Sequence, residues 1–150
     1  MSLLVIAPED APAAASFRSR DPLVLAARLA ERGVRFEQWA TRALPESAGE
    51  GAVLHAYAAE IRRLQEAGPY PAVDVVRLLP PRNDEERARA ATAREKFRNE
   101  HTHDEDEVRF FVEGRGLFYL RLAGEVFLVL CEAGDLLGVP AGTRHWFDMG

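Results

Sequence analysis

Hydrophobic and polar residues follow different periods in the two halves of the chain. In the first half, apolar positions recur every three or four residues, the spacing of one helix face. The longest such series consists of Leu54, Tyr57, Ala58, Ile61 and Leu64. From residue 101 onward, aromatic and β-branched runs are separated by glycines, a pattern typical of short strands and turns. The pattern therefore predicts helices before about residue 98 and a β-sheet after residue 101.

Three helices and one strand are predicted in the first half. Each helix is placed by a capping residue before its first turn, or by a glycine that ends its last turn. The helices are expected from Pro22 to Gly33 with Asp21 as the cap, from Leu54 to Gly68, and from Asn83 to about Phe97. The strand is expected at Val73–Leu79, before the pair Pro80 and Pro81.

The strands of the second half follow one another without intervening helices. This order favours antiparallel pairing in a closed barrel or jelly roll over a parallel α/β sheet. A length of 150 residues fits one domain. We therefore expect a mainly β fold with N-terminal helices, in which residues 1–98 are a largely helical lead-in and residues 101–150 form a metal-binding barrel half of the single domain 1–150.

Composition and charge narrow the classes of function. The chain is 47% hydrophobic and 29% charged, as in ordinary globular proteins, and its formal net charge of -5 argues against a nucleic-acid surface. The N-terminus lacks the basic start of a secretory signal, and no apolar run approaches the roughly 20 residues that span a bilayer. We expect a soluble, cytoplasmic protein without membrane partners. The only cysteine, Cys131, is expected to be a small buried residue, and His55 to be an exposed helical residue.

The candidate chemistry lies at the start of the β half. The histidines His101 and His103 are followed by Glu107 and Arg109, and residues at odd positions of an extended strand share one face unless a bulge at residues 104–106 interrupts it. Buried imidazoles and a carboxylate are costly without partners, and a divalent metal satisfies both. The simpler alternative is that the two histidines form an exposed polar turn. Taken alone, this pair favours the simpler alternative.

A fourth candidate ligand is His145, which follows the turn-forming residues Gly134, Pro140 and Gly142. Three nitrogens and one oxygen would leave two adjacent positions open on an octahedral ion, as in sites where substrate and oxygen meet at iron. A closed structural zinc site would leave none. The complete spacing, from His101, His103, Glu107 and Gly114 to Gly134, Pro140, Gly142 and His145, resembles the two cupin motifs. Glu95 and Met149 depart from these motifs, where a glycine and an asparagine are usual.

Within the cupins, the chain resembles the acireductone dioxygenase family of methionine salvage. The resemblance is carried by KFRNEHTHDEDEVRFFVEGRGLFYL, GDLLGVPAGTRHWFDMG and GVRFEQW, and it covers essentially the whole chain. It implies one Fe(II) or Ni(II) ion per chain, and acireductone and O2 as substrates. With Fe(II), the family forms a 2-oxo acid precursor of methionine and formate; with Ni(II), it forms methylthiopropionate, formate and carbon monoxide.

Three further residues are predicted to act on the substrate. Arg109 would stabilise its anion, and Phe97 and Phe147 would shield the site from water. The alternatives are a cross-strand ion pair for Arg109 and core packing for each phenylalanine.

Family members continue beyond the second motif, so we expect a truncated C-terminus. A monomer is expected. Two other functions stay open: a non-catalytic metal- or ligand-binding cupin, and a metal-dependent cupin isomerase.

Overall fold

A computed structural model describes residues 1–149 and divides the chain into two compact units. One unit comprises residues 1–41 together with the chain from Asn83 onward, and the other comprises residues 42–82. All eight strands of the described chain lie in the first unit. The expectation that residues 1–150 form a single domain stays a prediction.

The larger of two sheets has five antiparallel strands in the order β2-β1-β6-β5-β8. Their bounds are β1 Leu3–Pro8, β2 Phe17–Ser19, β5 Arg115–Leu122, β6 Glu125–Glu132 and β8 Arg144–Asp148. The strand β1 pairs with β6 from Leu3↔Leu130 to Pro8↔Glu125. The strand β5 pairs with β6 on one side and with β8 on the other, where Leu120 lies opposite His145.

The smaller sheet has three antiparallel strands in the order β3-β7-β4, with bounds β3 Arg35–Gln38, β7 Asp135–Val139 and β4 Glu107–Phe110. Its central strand β7 is buried along its whole length. Residues of both sheets and of the first helix share one hydrophobic core, which includes Leu4, Leu25, Leu120, Val129 and Leu137. The core therefore joins the two sheets, as the predicted β-rich fold requires.

Residues 1–149 contain four helices: α1 Pro22–Ala30, α2 Glu50–Ala56, α3 Ala58–Ala67 and α4 Asp84–Arg98. The predicted caps of α1 and α4 are confirmed, since Asp21 accepts a hydrogen bond from the Leu23 amide and Asn83 accepts one from the Glu86 amide. No helix within residues 1–149 has both the length and the apolar character needed to cross a bilayer.

The predicted second helix is in fact two helices. Tyr57, with φ -109° and ψ 18°, leaves the helical conformation and separates α2 from α3. The periodicity missed this break because Tyr57 keeps its place in the apolar stripe and is itself buried. His55 is exposed and Cys131 is buried, so both of these predictions are confirmed.

Two expectations about the first half need correction. The largely helical lead-in is incomplete, because β1, β2 and β3 all lie within it. The strand β1 is a continuous apolar run between two partner strands, so it lacks the two-residue alternation that marks a half-exposed strand. The strand predicted at Val73–Leu79 is wrong: this segment is irregular and pairs with no strand in the described chain. Its β-branched residues favour an extended strand, but no neighbouring strand in the described chain forms hydrogen bonds with them.

Candidate metal centre

Two distant segments meet at a single backbone bridge between His101 and His145. The His101 amide donates to the His145 carbonyl and the His145 amide donates to the His101 carbonyl, each over 3.0 Å. The bridge is isolated, since His101 belongs to no named strand. Residues 102–106 are irregular and β4 begins only at Glu107, so the candidate ligands do not share one continuous strand as the alternation had predicted.

The three imidazoles of His101, His103 and His145 converge. Their ring centroids are separated by 4.8 Å between His101 and His103, 4.5 Å between His101 and His145, and 5.1 Å between His103 and His145. One nitrogen of each ring lies within 4.8 Å of the others, a spacing that allows one ion to be held. His145 is 2% exposed, whereas the side chain of His103 is 48% exposed. The cluster is therefore anchored in the core and opens to solvent at His103.

Backbone carbonyls determine which nitrogen faces the cluster. The Nδ1 of His101 lies 2.7 Å from the Asn99 carbonyl, and the Nδ1 of His145 lies 2.7 Å from the Thr143 carbonyl. A carbonyl oxygen only accepts, so each Nδ1 carries the proton and donates it. The Nε2 of a neutral ring then presents a lone pair, the arrangement found in metal-ligating histidines.

Glu107 completes the cluster with one carboxylate oxygen. Its Oε2 lies 3.1 Å from the Nε2 of His145 and 3.2 Å from the Nε2 of His103. Because the Nε2 of a neutral His145 is an acceptor, two lone pairs would face one another across this contact. Either a proton on His145 or a metal ion must lie between them. Two neutral nitrogens and an anionic oxygen therefore fit a divalent metal ion.

The pKa values of Glu107 and His145 are both shifted toward their charged forms. Burial acts to raise the pKa of the Glu107 carboxyl, but hydrogen bonds with His145 and Arg109 outweigh burial and lower this pKa to about 2. Burial acts to lower the pKa of His145, yet the hydrogen bonds with Glu107 and with the Thr143 carbonyl raise that pKa above its ordinary value. Glu107 therefore stays ionised and attracts a cation to the Nε2 of His145.

A tight turn brings the His145 segment to the loop that carries the other ligands. Gly142 adopts φ +77°, which favours glycine, and its amide donates to the His103 carbonyl over 2.8 Å. The Asp106 carboxylate accepts a hydrogen bond from the Ala141 amide over 2.7 Å. Sequence reasoning anticipated the turn but missed Asp106, because its position in an acidic run gave no sign of a partner 35 residues away.

Arg109 lies beside Glu107 on β4, and its Nε donates to Oε1 of Glu107 over 2.5 Å. The two side chains thus share one face, as the alternation predicts. The bond occupies the carboxylate oxygen that does not face the imidazoles, and the Arg109 side chain is 40% exposed. Arg109 therefore forms an ion pair, as the alternative to a substrate role supposed, but within one strand rather than across two.

Phe97 on α4 meets Phe147 on β8 edge to face, with ring centroids 6.4 Å apart. Phe147 also packs against Phe118 at 4.6 Å and Phe111 at 6.3 Å, so it contributes to the core. It lies two residues after His145 on the same strand, which puts the two side chains on one face. Core packing at Phe147 is thus established, and a role of either ring toward substrate stays a prediction.

Comparison with known proteins gives one consistent family. A model of the ARD/ARD′ family matches residues 35–150. Acireductone dioxygenase of Prochlorococcus marinus (strain MIT 9303) is 51% identical over 156 residues, which cover 100% of this chain and 82% of that protein. Acireductone dioxygenase 1 of Nocardia farcinica (strain IFM 10152) is 50% identical over 151 residues, covering 100% of this chain and 80% of the relative.

A solved structure agrees with these relatives. Acireductone dioxygenase from Bacillus anthracis, with a cadmium ion in its active centre, superposes with a TM-score of 0.80 at 28% identity. The match covers 99% of this chain and 86% of that one. The predicted fold class, a mainly β cupin with antiparallel sheets and additional helices, is confirmed, and the chain belongs to the ARD/ARD′ family.

Proposed function

We propose that this protein is an acireductone dioxygenase, which oxidises 1,2-dihydroxy-5-(methylthio)pent-1-en-3-one with O2 in methionine salvage. Its single Fe(II) or Ni(II) ion is held by His101, His103, Glu107 and His145. With Fe(II) the products are 4-methylthio-2-oxobutanoate and formate; with Ni(II) they are 3-methylthiopropionate, formate and CO. In both reactions, the products contain every atom of one acireductone and one O2. The enzyme is a cytoplasmic monomer.

The contact that carries this proposal joins the Nε2 of His145 to Oε2 of Glu107 at 3.1 Å. It needs a cation, and a second imidazole nitrogen, from His103, lies 3.2 Å from the same oxygen. The solved relative from Bacillus anthracis, with cadmium in its active centre, supports a metal at this place. Family membership supports the substrate, because the relatives of about 50% identity are named for it.

Charge balance supports Arg109 as an anion-stabilising residue. Glu107 carries one negative charge and Arg109 one positive charge, so a divalent ion leaves two net positive charges. A bound divalent ion supplies Lewis acidity that favours deprotonation of the enediol. Arg109 then orients the anion by its charge, and its side chain is 40% exposed beside Glu107. Phe97 and Phe147 limit the access of water, which strengthens these electrostatic interactions.

Oxygen uptake is the direct test of the proposed function. Protein stripped of metal and reloaded anaerobically with Fe(II) or Ni(II) should consume one O2 per acireductone. Formate should form with either metal, and CO only with Ni(II). The variant His145→Ala should lose uptake, whereas His55→Ala, which changes an exposed histidine of α2, should retain it. Metal binding without any oxygen uptake would instead favour a non-catalytic cupin or an isomerase.

The role of Arg109 has a separate test. Arg109→Met should lower kcat at saturating acireductone by roughly 100-fold, the scale of losing one charged stabilising group. Arg109→Lys should recover part of the loss because it restores the charge. Arg115→Met removes an exposed arginine of β5 and serves as the control. Unchanged turnover of Arg109→Met at saturating substrate would leave Arg109 with only its ion pair to Glu107.

A further inference from the structure

Glu100 directly precedes His101 and belongs to a separate ion-pair network. It accepts a hydrogen bond from the Nε of Arg121, on β5. The same guanidinium donates to Oε1 of Glu9 over 2.6 Å, and Arg144 approaches that oxygen at 3.6 Å. The side chain of Arg121 is only 25% exposed. One partly buried arginine thus connects the segment before His101 with the segment that follows β1.

Arg121 also contacts the residue that follows His145. Its guanidinium carbon lies 5.2 Å from the ring centroid of Trp146, which is within cation-π range. Trp146 in turn stacks on Tyr119 of β5 at 4.9 Å and 6°. Successive residues of a strand point to opposite faces, so Trp146 and the two side chains that contact it lie on the face opposite His145. A single arginine therefore contacts the immediate neighbours of two proposed ligands, His101 and His145.

The helix α4, which precedes His101, is held to β8 by the ion pair of Arg94 with Asp148, and the His103 carbonyl after it accepts a bond from the Gly142 amide. His101 itself, between them, has fewer attachments. Its pairing with β8 consists of the two hydrogen bonds of the isolated bridge, and no strand continues it through residues 102–106. An isolated bridge opens more easily than a strand within a ladder. A metal site nevertheless needs its ligands held within about 0.5 Å of their working positions. An additional attachment beside the bridge would therefore improve metal binding.

We propose that Arg121 is a positioning residue for the metal centre: through Glu100 and Trp146 it holds the His101 segment against β8. The inference rests on the proposed function only in taking His101 and His145 as ligands of one ion. Glu9 bonds the same arginine from a segment without a ligand, and its contact with Arg144 beside His145 is longer, at 3.6 Å. It therefore provides a matched control for Glu100.

The affinity for Ni²⁺ alone, measured by isothermal titration calorimetry on the full chain, tests this role. Arg121→Met should weaken Ni²⁺ binding by about tenfold, as outer partners of metal ligands do. Charge alone predicts the opposite, because removing a cation near the site favours a bound metal ion. Arg121→Lys should restore part of the affinity. Glu100→Gln should weaken binding to a similar extent, and Glu9→Gln by less than about twofold.

Hydrogen exchange in the metal-free protein provides a readout that does not depend on metal binding. The His101 amide, bonded to the His145 carbonyl, should exchange about tenfold faster in Arg121→Met and Glu100→Gln, and unchanged in Glu9→Gln. Equal Ni²⁺ affinity and equal exchange in all variants would overturn the positioning role while leaving the proposed function intact. Absence of Ni²⁺ binding in the unmodified chain would overturn the metal centre itself, and the role of Arg121 with it.

Discussion

Asp135 opens β7, and its carboxylate is 1% exposed. It accepts hydrogen bonds from the Ser2 hydroxyl at 2.5 Å, from the Gln38 side-chain amide at 3.0 Å and from the Glu132 backbone amide at 2.8 Å. These donors come from three separate parts of the chain. A single buried carboxylate thus connects the start of the chain, β3 and the end of β6.

Replacement of Asp135 by alanine should lower the free energy of unfolding by about 2 to 4 kcal/mol. The change leaves three donors without their acceptor in a buried place, and each lost bond to a charged group is costly. Urea unfolding, followed by circular dichroism, measures the effect. The control Asp10→Ala removes an exposed carboxylate and should change stability by less than about 0.5 kcal/mol. A loss below about 1 kcal/mol for Asp135→Ala would contradict this account.

Cys131 should be unreactive in the folded protein. Burial, with a smaller contribution from the charge of Asp135, raises the pKa of its thiol, which is 0% exposed. Only the thiolate reacts with disulfide reagents, so a raised pKa together with burial removes the reactive form at pH 8. Ellman's reagent should label this cysteine at least about 100-fold more slowly in buffer than in 6 M guanidinium chloride, because unfolding restores both the thiolate and its access to the reagent. Equal labelling rates would show that β6 opens readily.

Gly116 of β5 lies beside the ring of Phe147 of β8, at a position with no room for a side chain. A Cβ placed on Gly116 would lie 2.3 Å from Cζ of Phe147 and 3.2 Å from Cε1 of Phe111. The ring of Phe147 therefore occupies the space beside β5 that any larger residue at 116 would need. This packing restricts the position of the Phe147 side chain, which lies two residues after His145 on β8.

The variant Gly116→Ala should destabilise the fold by about 1 to 3 kcal/mol, because the Phe147 ring must move within a packed core. Thermal unfolding measures the loss, and a changed near-ultraviolet circular dichroism spectrum should accompany it. In Gly51→Ala the new methyl group meets nothing within 4 Å, and the position is helical. This control should be neutral or stabilising by up to about 1 kcal/mol. Similar stabilities for the two variants would contradict the steric argument.

A helix or strand could be predicted from the sequence only where the residues that determine it are close together in the chain. Helix α4 was predicted because Asn83 caps it and its charges complement the helix dipole, both within a few residues. The strands β1 and β3 depend on pairing with β6 and β7, which lie about 100 residues further along the chain. Short runs such as LLVIAP and RFEQ do not carry that information themselves.

In the candidate site, the ligands could be predicted from the sequence, whereas the hydrogen bonds that orient them could not. The side chains of His101, His103, Glu107 and His145 were selected from their spacing, and the structure brings all four together. The hydrogen bonds that orient them were not predictable, because the carbonyls of Asn99 and Thr143 carry no mark in the sequence. Every residue type has a backbone carbonyl, so the conformation of the chain decides which carbonyl accepts the bond.

Bound metal should stabilise the folded protein against unfolding. A ligand that binds only the folded state at 100 times its dissociation constant adds about 2.7 kcal/mol. For a chain of this length, the melting temperature should rise by roughly 5 to 10 °C. Differential scanning calorimetry with Ni²⁺, and again after addition of EDTA, measures the shift.

Two variants make this measurement specific for the candidate site. His145→Ala should abolish the rise in melting temperature, while His55→Ala should keep it, since both remove one imidazole but only the first changes the cluster. An equal rise in both variants would mean that Ni²⁺ stabilises the protein from another place.

The pairing of β1 with β6 has a consequence for how the protein is made. Leu3 and Leu130 are partners, so β1 leaves the ribosome well over 100 residues before its neighbour has been translated. At 5 to 20 residues per second, the apolar run LLVIAP waits on the order of ten seconds for β6, and in that time only the three-residue strand β2 is available to pair with it. During synthesis, the edge of β1 that will pair with β6 therefore stays open to contacts with other chains.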